Sequence, residues 1–315
     1  MKTLHIETPL IEMIPLAHCL PGKVWLKMEA LQPSGSFKLR GIGHACQRHA
    51  GQGATEFVCS SGGNAGVAVA YSGRMLGIPV TVVVPESTTK KAIEVIRQQQ
   101  AIVIVKGKTW QEAHQYAQEC MKSESVYIHP FDDPLLWKGH STLIDEVVTS
   151  QVQPDIIILS VGGGGLLCGI LEGLARNGLS QVPVIAVETE GAHSLSASLE
   201  SGCHIEIPDI TSIATSLGAK KVALAAYEWC GSHEVISHVV SDREAVNACL
   251  RFSDDHRILV EPACGASLAV VYDPIELLSD KQNILVVVCG GAGVTAAQLQ
   301  EWDNRLSNQS IEQTA

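Results

Sequence analysis

One lysine stands where it could act as a nucleophile. In Ser34-Gly35-Ser36-Phe37-Lys38-Leu39-Arg40-Gly41, small residues flank Lys38, an aromatic precedes it, and a helix-like run, Ile42 to Cys46, follows. An ammonium at a helix start sits beside the positive end of the dipole and is disfavoured. The neutral amine is then easier to reach, and with it Schiff-base chemistry. Taken alone, the segment fits an exposed lysine at a helix start better than a nucleophile. Gly162-Gly163-Gly164-Gly165, between an apolar strand and a helix, presents consecutive backbone N–H groups of the kind that bind phosphate. Four glycines cost too much chain entropy for a merely tight turn. The run lacks the Lys-Ser/Thr of a P-loop and is not GxGxxG, which argues against a nucleoside triphosphatase and a standard dinucleotide site.

A second turn, Ser60-Ser61-Gly62-Gly63-Asn64-Ala65-Gly66, also precedes a helix. Ser61 and the amides of 62–65 suit a carboxylate, and Asn64 offers a donor to a ring oxygen; a plain helix cap fits the same residues. Cys289 ends an apolar strand before two glycines, where a small apolar residue would also serve. Glu188 and Glu261 lie at strand ends, each open to solvent capping, pairing or a cation. His129 and His193 lack partners at metal-ligand spacing and read as satisfied or exposed. The absence of GxSxG and HExxH counts against a hydrolase. A Schiff-base lysine, a phosphate turn and a carboxylate loop together suggest pyridoxal phosphate chemistry.

The chain bounds these readings. Its 315 residues are 46% hydrophobic and 17% charged, a composition with an ample globular core. Lys plus Arg is 22 against 33 Asp plus Glu, a net charge of −11, so nucleic acid and anionic membranes are poor partners. Ten scattered cysteines without a CxxC pair read as buried, reduced thiols, not a disulfide framework or a zinc site. No apolar run approaches the ~18 residues of a membrane span, and the N-terminus lacks a signal-peptide core. A cytoplasmic protein is expected.

Positioning falls to alternating strands and helices. Apolar strands are expected at 25–29, 56–60, 80–84, 101–105, 126–128, 155–160, 184–188 and 284–289. Helices are expected at 67–77, 88–99, 109–121, 134–149, 167–177, around 193–199, and at 220–230, 242–254 and 262–272, with one more after the last glycines and a tail of about a dozen residues. This pattern predicts an α/β fold of two lobes, 1–32 plus 136–315 and 33–135, with the chemistry at strand ends in the cleft between them.

The segments PSGSFKLRG, SSGGNAG, SVGGGGLLCG, VETEGAHS and ILVEPACGA resemble those of the fold type II pyridoxal phosphate enzymes, within them the single-module serine dehydratases and threonine deaminases. The resemblance runs from about Leu26 to Gln300. It implies two open, twisted, mostly parallel sheets covered by helices, like tryptophan synthase β, with the cofactor between the lobes. It implies that Lys38 carries the Schiff base and later removes the substrate Cα proton, with Phe37 on one face of the ring and Ser216 on the other. Gly162, Gly163, Gly164, Gly165 and Leu166 would hold the phosphate, Asn64 the ring's 3′ oxygen, and Cys289 would face the pyridine nitrogen. Ser61, Gly62, Asn64 and Ala65 would form the substrate-carboxylate loop. A monovalent cation, usually potassium, would fall to Glu188 and the carbonyls of Gly162, Ala192, Leu217 and Ala219.

The implied reaction is elimination of the β-hydroxyl of L-serine, and of L-threonine, to pyruvate or 2-oxobutyrate and ammonia by a homodimer acting on a small amino acid. A thiol at the ring nitrogen, unlike an aspartate, does not hold that nitrogen protonated, so loss of the Cα proton is coupled to loss of the hydroxyl. Other reactions on the same fold are serine racemisation, threonine synthesis and cysteine synthase-like β-replacement; a non-catalytic amino-acid sensor is the rival of another class. Cys289 stands where racemases usually have serine. Two residues depart from the pattern. Gly62 replaces the usual alanine, carries no base for the opposite face of Cα, and is expected to leave extra room; Ser216 replaces the usual alanine at the ring.

Overall fold

The computed structural model describes residues 2–16 and 19–314, with side chains described as far as Asn308. In chain order, β1 (Leu10–Glu12) and β2 (Lys23–Lys27) lead to α1 (Lys38–Gly51). Then come β3 (Glu56–Cys59), α2 (Asn64–Leu76), β4 (Val80–Val84), α3 (Lys90–Gln98), β5 (Ile102–Val105), α4 (Trp110–Glu119) and β6 (Ser125–Tyr127). The chain continues through α5 (Pro134–Thr149), β7 (Ile156–Ser160), α6 (Gly165–Arg176), β8 (Val184–Thr189), α7 (Ser194–Ser201) and α8 (Leu224–Trp229). It closes with β9 (Val235–Val240), α9 (Asp242–His256), α10 (Pro262–Tyr272), β10 (Asn283–Val287) and α11 (Ala296–Thr314).

Two sheets result. β3 to β6 form a four-stranded parallel sheet in the order β5-β4-β3-β6, and the other strands form a six-stranded sheet, β1-β2-β10-β7-β8-β9, parallel except for β1. Strand alternation sorts the first sheet's side chains between two cores. Phe57, Cys59, Val82 and Val84 pack with Ile42 of α1 and the alanines of α2, whereas Val58 and Val83 meet Ala113 and Ala117 of α4. The larger sheet is buried on both faces, so β7 and β10 are continuous apolar runs. All eleven residues of α10 are buried, as an all-round apolar helix requires.

Several expected boundaries shift in ways that matter for the site. Helix α2 starts at Asn64 and α6 at Gly165, so each glycine turn feeds directly into a first helical turn. Residues 220–223 stay outside α8, and α11 continues to Thr314 where a tail was expected. Strand β9 was not anticipated: its half-buried VISHVV pairs only with β8 at the sheet edge, and Ser237 and His238 interrupt the apolar run.

The start of α1 is fixed by a buried ion cluster. The Arg40 guanidinium, fully buried, donates to Glu29 at 2.7 and 2.7 Å and to Glu146 at 2.6 and 2.7 Å. Lys27 Nζ donates to Glu146 at 2.5 Å and to the Thr8 carbonyl at 2.6 Å. Two cations thus face two carboxylates where β2, α1 and α5 meet. Removing one partner from such a cluster strands the opposite charge. Arg40→Met is expected to lower unfolding stability by about 3–5 kcal/mol, read as a lower urea midpoint. An unchanged midpoint would show that the cluster does not carry this junction.

Candidate active site

The loop before Lys38 is stitched to the end of β10 by backbone bonds. The Phe37 amide donates to the Cys289 carbonyl at 3.1 Å, Gly291 N–H to the Gly35 carbonyl at 2.9 Å, and Ser36 bridges Gly290. Lys38 opens α1 with its Nζ 2.7 Å from the Pro130 carbonyl and 5.1 Å from the centre of the Phe37 ring. His140 backs that ring at 5.0 Å. Burial lowers the Lys38 ammonium to about 8, against the opposing pull of Cys289, Cys59 and Glu261. The amine is therefore far easier to neutralise than an exposed lysine's.

The tetraglycine turn follows β7. Gly164, at φ +85°, caps α6 in the left-handed region. A side chain at Gly163 would lie 2.2 Å from Phe131 Cγ, so the backbone can approach that ring only as glycine. Among the described residues, the amides of Gly162, Gly163 and Gly164 donate to no group of the protein. Gly165 and Leu166 stand in the first turn of α6, where amides have no intrahelical acceptor. The turn is a row of free donors at a helix start.

The Ser60–Ala65 loop follows β3 in the same way. Ser61 Oγ accepts from Gly63 N–H at 3.3 Å, and Asn64 and Ala65 open α2. Behind them Ser60 Oγ and the Tyr127 hydroxyl lie 2.6 Å apart, with His114 Nδ1 2.7 Å from the latter. Gly62 leaves less room than expected: a Cβ there would lie 2.7 Å from Thr88 Cγ2 and 3.4 Å from Val84 Cγ1. Thr88 already fills the space that an alanine methyl would take.

Glu261, read from the sequence as an ambiguous strand-end carboxylate, belongs to this site. It accepts from Asn64 Nδ2 at 2.7 Å, while Ala292 N–H donates to Asn64 Oδ1 at 3.0 Å. Burial pushes Glu261 up to about 7, with hydrogen bonding from Ser216 and Asn64 and the charge of Lys38 pulling it back. Lys38, Phe37, Asn64, Ser216 and Cys289 are thus linked, directly or through Glu261. Cys289 is buried, and hydrogen bonding to Cys264 together with burial raises its thiol well above the ordinary range. His129 and His193 are satisfied, accepting backbone amides through Nδ1. All ten cysteines are free; Cys19 and Cys203 are exposed, contrary to the expectation of burial.

Residues 1–290 match the model of the family described as pyridoxal-phosphate dependent enzyme. The chain belongs to that family. It is 47% identical over 310 residues to the L-serine dehydratase/L-threonine deaminase of Mus musculus, covering 95% of each protein. It is 44% identical to the L-serine dehydratase of Dictyostelium discoideum, over 95% of this chain and 91% of that protein. A fungal L-serine ammonia-lyase from Rhizomucor miehei superposes with a TM-score of 0.90 at 37% identity, covering 96% of this chain and 99% of that structure.

The residues present fit pyridoxal phosphate. Free amides of the tetraglycine turn suit its phosphate, and Lys38, lowered to about 8, suits its aldehyde. Among the described residues, the buried Ser34 and Ser36 hydroxyls beside the lysine have no partner, as expected where a polar ligand belongs.

Glu188 follows Val187, whose carbonyl accepts from Val161 N–H at 2.8 Å at the entry to the glycine turn. Fully buried at the end of β8, it accepts from Leu195 N–H at 2.9 Å and Ser196 N–H at 2.7 Å, at the start of α7. Burial pushes it up to about 7 despite those two bonds. Gly162 touches Leu217: a Cβ on the glycine would lie 2.8 Å from Leu217 Cα.

Because the folded Glu188 binds its proton more tightly than the unfolded carboxyl, its charge weakens the fold above about pH 7. That penalty fades as pH falls from about 7 toward the unfolded value near ~4.3. Wild type should therefore gain stability relative to Glu188→Gln on acidification through this window, measured by thermal unfolding in potassium-free buffer. A constant difference would mean that the carboxyl is not perturbed.

Proposed function

We propose that the chain is a pyridoxal phosphate-dependent ammonia-lyase acting on L-serine and L-threonine. Serine gives pyruvate and threonine gives 2-oxobutyrate, each with ammonia; the water lost as the β-hydroxyl leaves is regained when the nitrogen departs by hydrolysis. The observation that carries this reading is the stitching of the Lys38 loop onto Cys289, which sets a lysine amine and a neutral thiol on one backbone junction. The names of the relatives, and the Rhizomucor structure, support the same reaction.

When bound, the cofactor supplies an electron sink for the substrate Cα. In this reading it lies between 33–135 and 1–32 plus 136–315. The protein's part follows from its own groups. The amides of Gly162 to Leu166 hold the phosphate by hydrogen bonds and helix dipole. Phe37 covers one ring face and Ser216 the other, and Asn64 donates to the 3′ oxygen. Ser61, Gly62, Asn64 and Ala65 receive the substrate carboxylate at the first turn of α2, where free amides and the dipole favour an anion. Lys38 Nζ takes the Cα proton, and Pro130 steers the amine by its carbonyl. Cys289 faces the pyridine nitrogen as a thiol, because its pKa is raised. Gly62 offers no base on the opposite face, so elimination is favoured over racemisation.

A monovalent cation, potassium, completes the reading, held by Glu188 and the carbonyls of Gly162, Ala192, Leu217 and Ala219. The buried Glu188 carboxylate, perturbed for want of a countercharge, supports it. Ten free thiols support a reducing compartment, the cytoplasm, and a homodimer is expected.

Lys38→Ala should lose the visible cofactor band and at least roughly 10³-fold in pyruvate formation, the scale of a lost general base. A variant that keeps full activity would overturn the role of Lys38. Assaying pyruvate, 2-oxobutyrate and D-serine, with potassium and with sodium, separates elimination from racemisation and checks the cation.

A further inference from the structure

Glu261 occupies an unusual place for a helix-capping carboxylate. It is the N-cap of α10, yet its side chain makes no capping bond, and Pro262 follows it. An acidic N-cap ordinarily accepts an amide of the first turn. This one reaches instead across the molecule to Asn64 Nδ2 at 2.7 Å, a residue 197 positions away on the four-stranded-sheet side. It is only 7% exposed, and among the described residues no lysine or arginine lies within salt-bridge distance of it, Lys38 acting only through its charge. Room for the carboxylate comes from Gly291, at φ +136°: a Cβ there would lie 2.1 Å from Glu261 Cδ.

The two groups that hold the Asn64 amide leave it one orientation. Glu261 Oε1 accepts from the NH₂ end, and Ala292 N–H, which can only donate, demands the oxygen. One N–H of Nδ2 stays unused. A freely turning asparagine could present oxygen to a cofactor oxygen and repel it. We propose that Glu261 is a positioning residue for Asn64: it fixes the amide so that the remaining N–H, and not the carbonyl, is presented to the 3′ oxygen of the cofactor. Ser216, on the other side of the ring in the functional reading, shares the same carboxylate. This inference rests on the reading that Asn64 faces the cofactor.

The test compares purified holoenzymes of wild type, Asn64→Ala, Glu261→Gln, Glu261→Ala and the Asn64→Ala/Glu261→Ala double variant. The readouts are the cofactor dissociation constant and the position of its visible band. Loss of a hydrogen bond to a charged group predicts about 10-fold weaker cofactor binding for Glu261→Ala. Gln can still accept from Nδ2, so Glu261→Gln should stay within about 3-fold of wild type, well under 1 kcal/mol. Because Glu261 acts through Asn64, the double variant should bind no more weakly than Asn64→Ala alone. Additive losses, or a Glu261→Ala protein with wild-type affinity and band beside an impaired Asn64→Ala, overturn the positioning role and leave the functional reading standing. Wild-type affinity and band in Asn64→Ala overturn the placement of Asn64 as well. If Glu261→Ala does not fold, Glu261→Asp, one methylene too short to reach Asn64, takes its place with the same two outcomes.

Discussion

A buried guanidinium sets the frame on which the rest depends. Arg40 lies two residues beyond Lys38 and is 0% exposed, with Glu29 and Glu146 on its fork. Burial works against its charge, but the charges and hydrogen bonds of those carboxylates outweigh it and raise its pKa. A planar fork meets both carboxylates in fixed directions, which a lysine could not do. Such a cluster contributes little net stability against an apolar replacement of all its members, because desolvation offsets the attraction. Its value lies in geometry. It determines where α1 begins relative to β2 and α5, and hence where the Lys38 amine starts its path into the site.

The second constraint is the seam between the two sheets. Three of the groups argued to touch the cofactor or substrate follow the carboxyl end of a strand: Cys59 leads to the Ser60 loop, Ser160 to the glycine turn and Val287 to Cys289. Parallel strands send those ends to one side, so residues far apart in sequence meet without a dedicated scaffold. The bonds from Gly35, Ser36 and Phe37 to residues 289–291, and from Asn64 to Glu261 and Ala292, then close the seam. Burial at this seam lowers the Lys38 ammonium to about 8 and helps raise the Cys289 thiol well above its ordinary range.

The two departures from the family pattern acquire physical content in this setting. Gly62 looks like a loss of bulk in the sequence, yet Thr88 from the β4 end occupies the vacated volume. Ser216 looks like an added hydroxyl facing a ring, yet it shares the carboxylate of Glu261. In both cases the changed residue is read correctly only with its neighbour.

Much of the fold is legible from residue order alone. Apolar runs such as Val80–Val84 and Ile156–Ser160 are strands because a sheet covered on both faces needs nothing else. The glycine turns are legible because only glycine tolerates such close backbone approach, and Lys38 stands out by its small-residue setting. Edge strand β9 escapes, since a half-buried edge admits Ser237 and His238 and so loses the apolar signature. Partnerships escape altogether. Glu261 before Pro262 signals only an acidic residue at a helix start, and nothing local says that it grips Asn64. Likewise Arg40, Glu29 and Glu146 are three ordinary charges until packing removes their water. The sequence by itself determined which elements form and which residue types could do the chemistry, because propensity and turn geometry are local. Only the tertiary structure decided which charges meet and which amine gives up its proton more easily, because burial and pairing depend on residues distant in the chain.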